Sequence, residues 1–91
     1  MSAYEIIVSG KVQGVGFRMN TKQFALKKNL IGFVKNLSDG SVQIKLRGNE
    51  DNLKKLKDFI KNEPGWSIVK KIDVEEIDDT DIDDFNSFVI C

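Results

Sequence analysis

The stretch that most constrains this chain is "SVQIKLR", residues 41–47. Val42, Ile44 and Leu46 alternate there with Gln43, Lys45 and Arg47. Strict alternation predicts a strand with one face buried and one face wet. Immediately upstream, "IGFVKNL" (31–37) reads as a second strand, and Ser38-Asp39-Gly40 as a tight turn in which Gly40 supplies a positive φ. The pair is predicted to be a hairpin.

Helix signals flank this hairpin on both sides. Before it, "RMNTKQFALKKN" (18–29) places Phe17, Thr21, Phe24, Ala25 and Lys28 on one narrow stripe, and Asn29 can end the helix in the left-handed conformation. After it, Asn49 can cap a helix whose first turn holds Glu50 and Asp51. Leu53, Leu56, Phe59 and Ile60 form the inner stripe, and Pro64-Gly65 stops the helix. Outside the helices, "YEIIVS" (4–9) reads as the first strand, "WSIVKKIDVEEI" (66–77) as the fourth and "FNSFVI" (85–90) as a short last one. The order β-α-β-β-α-β predicts an α+β fold, a ferredoxin-like split β-α-β-β-α-β sandwich. In it an antiparallel sheet carries both helices on one face, leaves the other face open, and gains a short extra C-terminal strand. Ninety-one residues suit one domain, 1–91.

Between the first strand and the first helix lies "SGKVQGVGFR", residues 9–18, with three glycines and a terminal arginine. Three common phosphate motifs fail here on spacing. A dinucleotide fingerprint would need glycine where Met19 stands, and no Gly-Lys pair sits at the Walker A distance. A cysteine-dependent phosphatase would need its cysteine at Val12. What remains is a glycine-rich turn entering a helix N-terminus. Backbone N–H groups can cradle an oxyanion in such a turn, and Gly14 and Gly16 leave the main chain open to it. Arg18 can bring a two-pronged guanidinium to the same oxygens.

"GKVQGVGFR", followed by "GFVKN" and "DGSVQI", closely resembles the acylphosphatase family, over nearly the whole chain. The resemblance implies an enzyme that hydrolyses the carboxyl-phosphate bond of small acyl phosphates to carboxylate and inorganic phosphate. It implies a phosphate-binding loop of Gln13, Gly14, Val15, Gly16 and Phe17, with Arg18 binding the phosphate. Asn36, in "VKN", would position the attacking water. An amide can hold a water but cannot take its proton at neutral pH. The carboxylate leaving group needs no protonation, and a phosphate oxygen can accept the proton. Phosphoryl transfer is mainly positioning and charge stabilisation, and Arg18 and the amides supply positive potential. No metal and no cofactor is therefore expected. Asn20 departs from the family, which often has an aromatic residue there, as does the ending "FVIC". In some members the terminal carboxylate braces the arginine, a role that would fall to Cys91. The alternative is a catalytically inactive phosphate- or carbamoyl-phosphate-binding module, such as occurs within larger carbamoyl-handling maturation proteins.

Composition narrows the remaining classes. There is no histidine, and a single cysteine allows no intramolecular disulfide. No apolar run approaches the roughly 20 residues of a membrane span, and no signal-peptide pattern opens the chain. A cytoplasmic monomer acting on small molecules, with no nucleic-acid or membrane partner, is expected. The zero net charge is uneven: residues 1–72 hold all 14 basic residues against six acids, and residues 73–91 hold eight acids and no base. Both a solvated acidic segment and a basic field that steers small anions fit this pattern. In "DDTDIDD" (78–84), Asp79, Asp81 and Asp83 match the first calcium-loop positions, but Asp84 replaces the required glycine and Ile90 the final glutamate, so a solvated loop is expected. Trp66 is expected to cover the sheet. RNA binding would call for stacking aromatics on the third strand, and "SVQIKLR" has none.

Overall fold

A computed structural model describes residues 2–78, 82 and 84–91 of the chain. The elements run β1 (Ser2–Lys11), α1 (Phe17–Lys27), β2 (Ile31–Asn36), β3 (Val42–Gly48), α2 (Glu50–Lys61), β4 (Ile68–Ile77) and β5 (Phe88–Ile90). They build one sheet in the order β4-β1-β3-β2-β5. The first four strands pair antiparallel, as the split βαβ order requires, and β5 joins the edge parallel to β2.

The alternation in β3 does what its pattern demands. Val42, Ile44 and Leu46 are fully buried, and they abut Val8, Ile6 and Tyr4 of β1 in register. Leu53, Leu56 and Ile60 of α2, with Phe17 and Ala25 of α1, close the core over this face. The helices meet through a Phe24–Phe59 stack with centroids 4.5 Å apart. Asn29 ends the α1 segment at φ +57, and Asn49 caps α2 by accepting the Asn52 N–H at 2.7 Å. Gly40 takes φ +93 in the hairpin turn. There Asp39 accepts both the Ser41 N–H and the Ser41 hydroxyl.

Four expectations are corrected. The second face of the sheet is covered only in part, since Glu5, Ile7, Gln43, Lys45 and Arg47 on it stay partly exposed. The chain must pass from β4 at one edge to β5 at the other, and on the way Ile82 becomes fully buried. Phe85, expected to begin the last strand, instead sets its ring 5.4 Å from Phe33, on the face opposite the core residue Val34. The fourth strand begins at Ile68 rather than at Trp66, because Ser67 is tied back to the Pro64 carbonyl through its hydroxyl at 2.7 Å. Trp66 covers nothing: it is 85% exposed. The calcium-loop positions Asp79, Asp81 and Asp83 lie outside the described residues. Among the described residues no helix is long and apolar enough to cross a membrane.

Candidate active site

The glycine loop takes its shape from an alternation of backbone handedness. Gly14 and Gly16 have φ of +72 and +80, whereas Gln13, Val15 and Phe17 are not in the positive-φ region. Such alternation turns successive N–H groups toward one side and makes a concave anion cradle. Gly16 is also the residue that caps α1, with no side-chain capping bond and no acid in the first turn. The positive end of the helix dipole is therefore unopposed. Among the described residues, no backbone N–H from Gly14 to Met19 donates to a protein acceptor, and the first bond of the helix is Asn20 N–H to the Gly16 carbonyl at 3.1 Å.

Gln13 anchors this loop. Its side-chain Nε2 donates to the carbonyls of Leu37 and Ser41, each at 2.8 Å, in the β2–β3 turn. The loop thus leans from the end of β1 across the ends of β3 and β2. It reaches β5, because Ile90 joins Val12, Gly14, Gly16, Phe17, Arg18 and Met19 around a cavity of about 190 Å³. Arg18 lies on its wall, half-buried, and among the described residues no acid pairs with it. Among the described residues no ion pair joins it to the Cys91 carboxylate, and the Cys91 N–H donates to the Val34 carbonyl at 2.9 Å. The Phe17 ring belongs to the core, at 1% exposure, so only its main chain can serve a ligand.

Asn36 closes β2 opposite Val42, which in turn lies opposite Val8. The three stand abreast on the helix-covered face, at the sheet end that the loop crosses. The Asn36 Oδ1 is buried and has no protein donor. Asn36 does not line the cavity that holds Arg18, and neither do Gln13 and Val15. Gln13 works as the tether, and Val15 packs against the core and gives its carbonyl to the Trp66 N–H at 3.0 Å.

Val12, Met19, Ile90 and Trp66 were missed as site neighbours. Val12 and Met19 carried a local signal, one immediately before Gln13 and the other immediately after Arg18. The other two arrive through register and loop crossing, which single-residue patterns do not report.

The acylphosphatase family profile matches residues 4–90. The chain belongs to the acylphosphatase family. The acylphosphatase of Borrelia garinii subsp. bavariensis is 41% identical over 91 residues, covering 99% of this chain and 98% of that protein. The crystal structure of acylphosphatase from Bacillus subtilis superposes with a TM-score of 0.90 at 40% identity, covering 100% of this chain and 99% of that one. The crystal structure of full-length HypF in the phosphate- and nucleotide-bound form matches with a TM-score of 0.87 at 34% identity. That match covers 99% of this chain but 12% of the larger protein.

Proposed function

We propose that this acylphosphatase hydrolyses small acyl phosphates through the cradle of residues 13–17, Arg18 and Asn36, with residues 1–91 acting as one domain. The observation that carries the reading is the alternating backbone at Gly14 and Gly16, which leaves the N–H groups of Gly14 to Met19 unclaimed at a helix N-terminus. An oxyanion is the ligand that such a set of donors accepts. Among the described residues no acid pairs with Arg18, and in this reading its guanidinium joins them.

In the proposed reaction the amides and Arg18 hold the phosphoryl oxygens. A water held by the Asn36 amide attacks phosphorus in line with the leaving oxygen. The new O–P bond forms as the P–O bond to the acyl group breaks, and the carboxylate departs with that electron pair. The water's proton passes to a phosphoryl oxygen, so no side-chain base takes part. The buried, unpaired Asn36 Oδ1 supports this role, since an unsatisfied buried acceptor costs about 1–3 kcal/mol and a water donor would recover it. The reading includes a cytoplasmic monomer acting on free acyl phosphates, with no nucleic-acid or membrane partner.

Steady-state hydrolysis of benzoyl phosphate, with inorganic phosphate as competitive inhibitor, tests these assignments. Arg18→Ala should lower kcat/KM by at least roughly 10²–10³ and weaken phosphate inhibition. Asn36→Ala should lower kcat comparably while sparing phosphate inhibition. Near-normal turnover in Asn36→Ala would rule out its hold on the water. Wild-type protein that binds phosphate without turnover would favour the inactive binding module, the arrangement that the match to part of a phosphate-bound HypF brings to mind.

A further inference from the structure

Trp66 is the only tryptophan of the chain, and the fold makes no use of its ring. At 85% exposure it lies outside the core, and no aromatic or cation partner faces it among the described residues. Its backbone, by contrast, is fixed tightly. The Trp66 N–H donates to the Val15 carbonyl of the phosphate loop at 3.0 Å. Ser67 is buried, and both its hydroxyl and its N–H bond the Pro64 carbonyl. Gly65 has φ +66, and a Cβ there would stand 2.6 Å from the Val15 carbonyl oxygen and 3.1 Å from Asn20 Nδ2. The turn is therefore pressed against the loop too closely for any side chain at residue 65. Asn20 stays in place because its amide donates to the Gly16 carbonyl at 2.8 Å.

This arrangement fixes the Trp66 backbone against the back of the anion loop, at Val15, and leaves its indole in solvent. A large aromatic face in water is unfavourable unless a ligand covers it, and Trp offers a broad, rigid stacking surface at little cost in conformational entropy. On the helix side of the same loop, Met19 is 51% exposed and lines the cavity with Val12 and Ile90. That cavity is about 190 Å³ in volume, and Trp66 stands outside its lining.

We propose that Trp66 is a specificity-determining residue whose indole stacks on the acyl group of the substrate and favours aromatic acyl phosphates over acetyl phosphate. The proposal rests on the reaction given above, and it names the acyl side of the same site. Trp66 touches neither the phosphorus nor the attacking water in this scheme. Its effect therefore falls on KM and on the choice of substrate rather than on kcat.

The test compares benzoyl phosphate with acetyl phosphate for wild type, Trp66→Ala and Trp66→Phe. Trp66→Ala should raise the KM for benzoyl phosphate relative to that for acetyl phosphate about 3–10-fold, with Trp66→Phe keeping most of the preference. A substitution that merely loosened the loop would shift both substrates together, and that result, or an unchanged ratio, would overturn the proposal. The single tryptophan provides a second readout. Titration with benzoylphosphonate should change its fluorescence, and saturating inorganic phosphate should change it far less. Equal responses to both, or no response to benzoylphosphonate, would also overturn it. If the wild type hydrolysed neither substrate, the reading of the reaction would fall, while the fluorescence titration would still report whether Trp66 meets the benzoyl ring.

Discussion

Gln13 offers the sharpest stability test of the loop, because its contribution can be worked from its partners. Its amide donates two bonds of 2.8 Å, to the Leu37 and Ser41 carbonyls. Each such bond contributes about 0.5–1.5 kcal/mol net. Both carbonyls keep another donor when Gln13 is truncated: Leu37 accepts the Gly40 N–H at 3.2 Å, and Ser41 accepts the Leu37 N–H at 2.9 Å. Neither is left orphaned, so Gln13→Ala should cost about 1–3 kcal/mol, the sum of the two net contributions, with no desolvation penalty added. For a domain of this size that lowers Tm by about 4–8 °C per kcal/mol. Gln13→Glu sharpens the point. At neutral pH it turns a carboxylate toward two carbonyl oxygens, so it should be less stable than Gln13→Ala. Those carbonyls disfavour the charged form and raise the introduced acid above its ordinary pKa of about 4.3. Its extra destabilisation is then present above that raised value and relieved as pH falls through it. Urea denaturation of both variants between pH 3 and pH 7 measures the pattern. A Gln13→Glu variant as stable as wild type at neutral pH would refute the two-carbonyl tether.

Other expectations are brief. Gly14→Ala meets nothing within 4 Å, so its whole cost is that of a left-handed alanine at φ +72, about 1–2 kcal/mol by urea denaturation; a stability equal to wild type would contradict the loop geometry. Thr21→Val removes a hydroxyl that is fully buried without a protein partner, and should stabilise the fold by about 1 kcal/mol in a thermal scan, whereas a loss would reveal an unseen partner. The Ser41 hydroxyl, and then the Ser41 N–H, hold the Asp39 carboxyl below its ordinary value. The stability that this adds is present above the unfolded pKa of about 3.9 and lost as pH falls through the lower folded value. The gap between wild type and Asp39→Ala should therefore shrink on acidification, and a gap constant from pH 7 to pH 2 would count against the turn.

Local features were legible in the sequence wherever the physics is local. The alternation at Val42, Ile44 and Leu46 needed only its own period to declare a buried face. Asn49 and Asn29 announced helix ends through their own side chains and backbone freedom. The glycine spacing likewise announced the positive-φ positions Gly14 and Gly16. What stayed hidden depends on contacts between distant segments. Gln13 finds its partners 24 and 28 residues away, across a turn whose position follows from the β2–β3 register. Ile90 reaches the cavity because β5 pairs with β2, and Phe85 meets Phe33 because the chain must cross the sheet. Trp66 has the composition of a core residue. It is nonetheless exposed, with its N–H tied to Val15 in a turn that no hydropathy pattern encodes.

The central claim is that water attacks phosphorus, and the fate of oxygen tests it most directly. Benzoyl phosphate would be hydrolysed by the wild-type protein in ¹⁸O-enriched water, and both products weighed by mass spectrometry. Attack at phosphorus leaves one labelled oxygen in the inorganic phosphate and none in the benzoate, at a rate that falls by roughly 10²–10³ in Arg18→Ala. Label appearing in the benzoate would place the attack at the carbonyl carbon and contradict the account.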